Sequence, residues 1–349
     1  MFSTLSDPIL RLALGIGLVA VALTGLLTLA IVFLRLRLTV RERRWEAFVA
    51  RWRPPLLQAA LEGPDAASLP ALAASEHGLF LRLWTYLHES LRGEAADRLN
   101  ETARRLGLDA SVRHLLLHGS RAERLQATLA AGYLRDAAAW DALVALARER
   151  DALIAVHAAR ALVRIEPLRA VNGLLPLLLD RVDWDLSRVA LVLAEARQPF
   201  WLLLAKVLPR LAPERLPRAL QLAEAVRIQP PAATLARLLQ PAQPPEVLRA
   251  ALRLCDSPSL GNEVRACLTH ADAGVRAEAA RHMARLGAPG DVARLAALLD
   301  DADWDVRMAA AQALGRLPFL ADTELARLAH SHPAAEPLLR QVAAERGLG

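Results

Sequence analysis

A unit of about thirty residues, repeated between residues 120 and 320, constrains the fold more than any other feature of this sequence. In its clearest copy, residues 298 to 317, apolar side chains recur every three or four positions after Asp303. This spacing predicts an α-helix with Asp303 at its N-cap. Pro289-Gly290-Asp291 is predicted to begin the preceding helix. Two short helices with one apolar face each cannot bury those faces alone, so neighbouring copies must stack.

The copies follow one another at a regular distance. Each copy is predicted to contain a helix equivalent to the one that begins at Asp303. In successive copies this helix is predicted to begin at Ser120, Asp151, Asp183, Pro213, Pro245, Asp272 and Asp303. These starts lie 27 to 32 residues apart. Aromatic residues make up only 4% of the chain, and no segment has the alternating β-branched pattern of strands. The sequence therefore predicts an all-α fold.

The pattern D-x-x-V-R-x-x-A followed by A-L-x-x-L, clearest after Asp272 and Asp303, resembles the HEAT-like repeats of bacterial α-solenoids. The resemblance implies a right-handed α-solenoid of helical hairpins over residues 120–321. Residues 56–119 and 322–349 are then expected to form helical caps over its two ends. The Arg of the motif is replaced in three copies, by Ala155, Ser187 and Pro217. A continuous ladder of Asp and Arg along the repeats is therefore not expected.

An uninterrupted apolar run of 23 residues, 12 to 34, precedes the repeats. At about 1.5 Å per residue it is long enough to cross a hydrocarbon core about 30 Å thick. It predicts a single transmembrane helix after a short tail, residues 1–11. A cleavable signal peptide is the alternative. It is disfavoured because the basic residues follow the run, and no small-x-small cleavage site precedes Arg35.

Residues 35–55 form an Arg-rich juxtamembrane segment, whose arginines are expected to lie at the membrane surface: Arg35, Arg37, Arg41, Arg43, Arg44, Arg51 and Arg53. By the positive-inside rule they predict a single-pass protein of the bacterial inner membrane, with its N-terminus outside and the repeats in the cytoplasm. The segment is predicted to be a helix that ends at Pro54-Pro55. Two interpretations of its aromatic face, Trp45, Phe48 and Trp52, stay open. The helix lies on anionic lipid, or the following helices cover this face.

The net charge of +6 is concentrated near the membrane segment, where seven arginines face only Glu42 and Glu46. Averaged over the remaining chain the charge is close to neutral, so no basic stripe for a nucleic-acid backbone is expected. Cys255 and Cys267 have no CxxC partner and are interpreted as buried apolar residues. Cys267, His270 and His282 lack a fourth ligand at zinc spacing, so no metal and no cofactor are predicted.

No catalytic motif was found, and two classes of function stay in view. The first is a non-catalytic adaptor that binds a protein partner, itself expected to be a membrane protein, at the cytoplasmic face of the bilayer. The second is an enzyme or chaperone similar to the bilin lyases, which have comparable repeats. The layout and short strings such as WRPPLLQAALEG, residues 52 to 63, also look similar to bacterial proteins that act beside membrane glycosyltransferases in exopolysaccharide production.

Two sets of residues are candidates for contact with a partner. The first set occupies two acidic turns: Asp183, Trp184, Asp185, Asp303, Trp304 and Asp305. The two Trp lie 120 residues apart and are expected at equivalent positions, either as interface anchors or packed on the next repeat. The second set is a stripe of small residues on the transmembrane helix: Ala13, Gly17, Ala20, Thr24 and Thr28. This stripe predicts a contact with a partner helix, the alternative being a plain anchor.

Overall fold

The structure is a computed structural model that describes residues 8 to 347, with side chains for residues 15 to 73 and 75 to 346. Every regular element in this part of the chain is helical. The chain divides into two compact units, Met1–Leu134 and Arg135–Gly349. The helices of the first unit are α1 (Pro8–Glu62), α2 (His77–Ser90), α3 (Glu94–Arg105), α4 (Leu108–His118) and α5 (Arg121–Leu134).

Helix α1 is 55 residues long and has two very different halves. Every residue from 15 to 44 is exposed, and the most apolar window of the helix has a mean hydropathy of 2.6. By length and composition this helix is able to cross a membrane. In its C-terminal half, Phe48, Trp52 and Leu56 are buried. The indole of Trp52 lies 5.0 Å, between ring centroids, from Phe80 of α2.

The prediction that the helix ends at Pro54-Pro55 is wrong, because α1 continues through both prolines to Glu62. A proline inside a helix costs about 3 kcal/mol, since it lacks an N–H and crowds the preceding turn. Trp52 and Leu56 are completely buried on either side of the prolines. Burying each of these side chains contributes roughly 1.5–3 kcal/mol, and this packing holds the helical path across the defect.

The second unit is a stack of helical hairpins. Its helices are α6 (Trp140–Ala147), α7 (Ala152–Ile165), α8 (Pro167–Asp180), α9 (Leu186–Ala194), α10 (Arg197–Val207), α11 (Leu216–Ala225), α12 (Ala232–Leu238), α13 (Pro245–Arg253), α14 (Gly261–Cys267), α15 (Ala273–Leu286), α16 (Val292–Ala297), α17 (Trp304–Arg316), α18 (Asp322–Ser331) and α19 (Glu336–Gly347). Each odd-numbered helix from α7 to α17 packs against the next odd-numbered helix. The predicted stacking of repeats on a shared apolar core is therefore confirmed.

Acidic side chains cap the helices of this row. The carboxylate of Asp303 accepts hydrogen bonds from the backbone N–H of Asp305 and Val306, at 2.9 and 3.3 Å. Asp151 and Asp272 cap α7 and α15 in the same way, as predicted. Each cap satisfies N–H groups that have no partner inside the helix. The starting residue of these three helices was thus correctly placed.

The predicted start at Asp183 is wrong, because α9 begins two residues later and its N-cap is Asp185. Asp183 instead forms an ion pair with Arg181, at 2.7 Å between Nη2 and Oδ2. The guanidinium of Arg181 also donates to the carbonyl oxygen of Glu149, at 2.8 Å. Since Arg181 draws Asp183 away from the helix end, the second Asp of the turn becomes the cap.

Arginine side chains join neighbouring hairpins in the second unit. Arg218 donates to the backbone oxygen of Trp184 at 2.9 Å, and within its own hairpin Arg307 donates to that of Asp301 at 2.7 Å. Arg276 forms an ion pair with Asp301, and Arg265 pairs with the buried Asp291. The planar guanidinium has several donors in a fixed geometry and is well suited to carbonyl oxygens at helix ends. Much of the positive charge is therefore used inside the repeat stack.

Candidate partner-binding surfaces

The two acidic turns, predicted to be equivalent, have different structures. Trp184 precedes the cap of α9 and is only 1% exposed, whereas Trp304 follows the cap of α17 and is 54% exposed. The difference in exposure follows from the position of the capping Asp. This Asp comes after Trp184 in one turn and before Trp304 in the other. The expectation of equivalent positions is therefore wrong. The two turns also lie on different hairpins, so their Trp residues do not form one site.

In the turn at residues 183 to 185, Trp184 is buried while Asp183 and Asp185 are exposed. Arg181 lies over the ring of Trp184, with 5.4 Å between Cζ and the ring centroid. The hydrogen bond from Arg181 holds the pKa of Asp183 below its usual value. Hydrogen bonds from Ser187 and from the backbone of Arg188 do the same for the pKa of Asp185. Both carboxylates are thus occupied within the protein, and Trp184 belongs to the core.

The turn at residues 303 to 305 faces outward. Asp303 is occupied as the cap of α17, while Trp304 and Asp305 are exposed. The nearby Asp300 pairs with His332, at 2.7 Å between Oδ2 and Nδ1. A large aromatic side chain at the surface, beside carboxylates, is typical of an interface anchor. Of the two predicted tryptophans, Trp304 is therefore the exposed one.

The small residues of α1 form a shallow apolar groove. Ala20, Thr24 and Thr28 of the predicted stripe lie along it, while Gly17 has open space around its Cα and the side chain of Ala13 is outside the described side chains. The groove also includes Val21, Gly25, Leu29 and Val32, which the stripe omitted. Gly25 was identifiable from its position four residues after Val21 and next to Thr24.

The threonine hydroxyls in this groove already have acceptors. Thr24 donates to the carbonyl oxygen of Ala20 and Thr28 donates to that of Thr24, each at 2.8 Å. This bonding within the helix is common for hydroxyl side chains in apolar surroundings. The hydroxyl protons are therefore not available to a second helix. Any contact in the groove depends on close packing at its small residues.

The Arg-rich segment divides at its aromatic face. The arginines at positions 35, 37, 41, 43 and 44 are exposed. Farther along the helix, Arg51 pairs with Glu76 at 2.6 Å, and Arg53 is exposed. Arg82 of α2 lies over the ring of Trp45, with 4.3 Å between Cζ and the ring centroid. The following helices thus cover the aromatic face, as the second interpretation expected, and all the exposed arginines except Arg51 and Arg53 occupy the part nearer the apolar run.

A further exposed surface lies on α10 and was missed by the sequence analysis. Trp201 is 40% exposed and its neighbour Leu202 is 52% exposed. Arg197, Gln198 and Trp201 line a cleft whose other side is the turn at residues 227 to 229. Residues 196 to 245 hold seven Lys or Arg against two Glu, a local excess that averaging over the chain concealed. A sliding window of charge would have detected it.

Burial shifts the pKa of several ionisable groups in the core. Burial raises the pKa of the Cys267 thiol to about 11 and also raises that of Cys255, so both thiols are protonated near neutral pH. Burial lowers the pKa of His282 and of His157. Among the described residues, no three His, Cys, Asp or Glu side chains are grouped to hold a metal ion. These residues are explained by packing within the repeats.

Comparison with protein families agrees with this architecture in the C-terminal third of the chain. A family model described as HEAT repeats matches residues 231–315 and 261–346. No curated protein sequence matches the chain. Among solved structures, the chain is similar to the crystal structure of an engineered protein determined by the Northeast Structural Genomics Consortium. The two share 19% identity, over 84% of this chain and 80% of that one, with a TM-score of 0.26. Residues 231–346 thus match HEAT repeats, and they lie within a second unit of stacked helical hairpins.

Proposed function

We propose that this protein is a non-catalytic adaptor, anchored in the bacterial inner membrane, whose repeats hold a protein partner at the cytoplasmic face. The observation that carries the proposal is the continuity of α1. One helix contains both an exposed apolar run and the buried residues Phe48, Trp52 and Leu56 of the first unit. The apolar run and the folded unit therefore form one structural piece.

A lipid bilayer accounts for the exposure of this helix better than water does. Large apolar side chains are exposed all round it, among them Leu23, Leu27 and Phe33. A helix that is apolar on every side needs an apolar environment on every side. A signal peptide is the alternative, but it ends in a cleavage site of small residues, whereas this helix continues through charged residues into a packed core.

The charge distribution supports a cytoplasmic location for the repeats. The exposed arginines between positions 35 and 44 come directly after the apolar run, and the positive-inside rule retains such clusters in the cytoplasm. A reporter fused after Gly349 is expected to be active in a format that works in the cytoplasm. It should be inactive in a format that works in the periplasm. The opposite pattern would exclude a cytoplasmic adaptor.

The repeats supply the second half of the proposal. Stacked helical hairpins expose long surfaces and serve widely as binding platforms. Trp304 is the exposed aromatic anchor that the predicted turns contribute.

The similarity of layout to proteins that act beside membrane glycosyltransferases supports one partner class, a glycosyltransferase complex of exopolysaccharide production. Purification of the full chain from detergent-solubilised membranes, with and without Trp304→Ala, tests this assignment. A bound chromophore or turnover in the purified protein would favour the bilin-lyase-like alternative.

Anchoring is tested by placing two charges in the apolar run. The double variant Leu23→Asp, Leu27→Asp is expected to shift the protein from the membrane fraction to the soluble fraction or to degradation. The reason is that each Asp at the centre of a transmembrane helix costs about 3 kcal/mol. Val182→Asp, at a residue that is 81% exposed in the second unit, is the control and should stay in the membrane fraction. A double variant that still resists alkaline extraction would contradict the anchor.

A further inference from the structure

We propose that the exposed face of α10 is a docking site for an acidic peptide segment that carries an aromatic or aliphatic anchor residue. The inference rests on the proposed adaptor function and adds the chemistry of the partner. The site, called here the α10 surface, consists of Arg197, Gln198, Trp201, Leu202, Lys206, Arg227 and Gln229.

The centre of the α10 surface is apolar and held in place. Trp201 and Leu202 are half-exposed neighbours on α10, whose inner side is anchored by the buried Phe200 and Leu204. The indole N–H of Trp201 donates to the carbonyl oxygen of Gln229, at 3.1 Å. The ring is therefore fixed at its polar edge while part of its surface is open. A rigid, partly exposed Trp loses little side-chain entropy on binding, and Trp is enriched among interface hot spots.

The rim of the α10 surface is cationic. Arg197 and Arg227 line the cleft beside Trp201, and the only Lys of the chain, Lys206, is exposed two turns along the same helix. No Asp or Glu occurs in α10. The ion pairs found in the described part of the chain include none for these three cations. An acidic partner therefore gains favourable charge interactions here without displacing an existing ion pair.

The carboxylates nearest in sequence are occupied elsewhere. Glu195, just before α10, accepts hydrogen bonds from Arg160 and Arg164, each at 2.7 Å. Glu224, at the end of α11, pairs with Arg253 at 2.9 Å. The positive potential of the α10 surface is thus left unbalanced by its surroundings. This complementarity favours a negatively charged occupant.

The shape of the site favours a peptide over a lipid surface. The cleft lies between α10 and the turn at residues 227 to 229, and a single anchoring side chain can enter such a recess. Arg197 donates to the carbonyl oxygen of Arg227, whose φ of 56° gives the turn a left-handed residue. Pro230 and Pro231 then restrict the chain that follows. Gln198 places a side-chain amide at the rim, where it can bond to peptide groups, while the amide of Gln229 donates to the carbonyl oxygen of Leu254.

Binding of defined peptides to the full chain in a zwitterionic detergent tests the proposal. The probe is a fluorescein-labelled peptide of alternating Glu and Phe, and matched peptides carry Gln or Lys in place of Glu. We expect fluorescence anisotropy to show tighter binding of the Glu peptide, weakened by salt. Trp201→Ala and Arg227→Glu should each weaken it about tenfold or more, while Arg227→Glu should gain affinity for the Lys peptide. Phe319→Ala, at an aromatic residue of the second unit that is 44% exposed, is the matched control and should bind normally.

Several outcomes would overturn the proposal. Equal binding of the Glu and Gln peptides, or binding unaffected by Trp201→Ala and Arg227→Glu in folded protein, would remove the acidic-segment assignment. The assignment would also be removed if the protein bound vesicles of anionic lipid in a Trp201-dependent way and did not bind the Glu peptide. Self-association of the full chain that is lost in Arg227→Glu would assign the surface to a second copy instead. The peptide assay is performed in detergent and does not depend on membrane anchoring. A negative result therefore concerns the α10 surface alone, whereas membrane anchoring is tested separately with the Leu23→Asp, Leu27→Asp variant.

Discussion

Arg276 and Asp301 form a bidentate ion pair that joins consecutive hairpins, with Nε–Oδ2 at 2.7 Å and Nη2–Oδ1 at 2.8 Å. The same Arg276 donates to the carbonyl oxygen of His270, and Asp301 also accepts from the backbone N–H of Asp303. One ion pair thus connects the turn before α15 to the turn before α17. These two helices lie side by side in the stack.

Loss of this ion pair is expected to destabilise the C-terminal hairpins. Arg276→Ala leaves the mostly buried carboxylate of Asp301 without its main partner, and a hydrogen bond to a charged group contributes about 1.5–3 kcal/mol. Chemical unfolding of the purified protein should show a loss of this size. The exposed pair Arg340–Glu336 offers a matched control, since Arg340→Ala should change stability by less than about 1 kcal/mol. Equal losses for the two variants would contradict a special role for Arg276.

The same pair gives the stability a defined dependence on pH. The hydrogen bond from Arg276 holds the pKa of Asp301 below its usual value. The stabilisation is therefore complete above the ordinary Asp pKa of about 4 and is lost as pH falls through the lowered pKa of the folded state. Melting temperatures measured from about pH 7 down to about pH 3 should fall less steeply for Asp301→Asn than for the unmodified protein. Parallel curves would show that other carboxylates dominate acid unfolding.

The two acidic turns show where the sequence was informative and where it was not. The caps at Asp151, Asp272 and Asp303 were predictable because each stands three residues before a buried apolar residue of its helix. In the turn at residues 183 to 185 the same rule favours Asp183, which stands three residues before Leu186, whereas the N-cap is Asp185. The choice between them depends on Arg181, whose guanidinium pairs with Asp183. A periodic pattern does not contain that tertiary contact.

Replacing the two tryptophans should therefore have opposite consequences. Trp184→Ala removes a buried ring and should cost about 3–5 kcal/mol of stability. Trp304→Ala removes an exposed ring and should change stability by no more than about 0.5 kcal/mol, while reducing retention of a partner. Thermal unfolding and co-purification measure the two effects separately. A large loss of stability in Trp304→Ala with normal binding would assign that residue to packing as well.

The α10 surface was overlooked for a different physical reason. The charge of the chain after residue 53 is close to neutral as an average, although residues 196 to 245 hold seven Lys or Arg against two Glu. The exposure of Trp201 could not be predicted either, because Phe200 and Leu204 on the same helix are also apolar and are buried. Which side of an apolar helix faces the solvent depends on how its neighbours pack. Local charge is readable from the sequence, whereas the open face of α10 required the structure.

The prolines within α1 lead to a prediction about stability. Pro54 is exposed, so Pro54→Ala loses little packing and restores an N–H for the carbonyl oxygen of Ala50. We expect the variant to be more stable by about 2 kcal/mol. The gain in helix propensity is larger than this, but it is reduced because the unfolded chain is more flexible without the proline. Pro245→Ala, at the exposed first position of α13, is the control and should be nearly neutral. Thermal unfolding in detergent compares the two, and a destabilised Pro54→Ala would mean that the prolines shape a needed bend.

The groove on α1 gives the last prediction, which separates packing from hydrogen bonding in the apolar run. Gly25 lines this groove, so Gly25→Leu fills it and should weaken association with a partner helix or a second copy. Insertion of the helix into the membrane should be unchanged, because Leu is more apolar than Gly. Thr24→Val, at the adjacent position, keeps the side-chain size and removes a hydroxyl that already donates to Ala20. This control should associate normally in a membrane two-hybrid or crosslinking assay. If Gly25→Leu inserts and associates as well as the unmodified chain, the apolar run is a plain anchor, and binding specificity resides in the repeats.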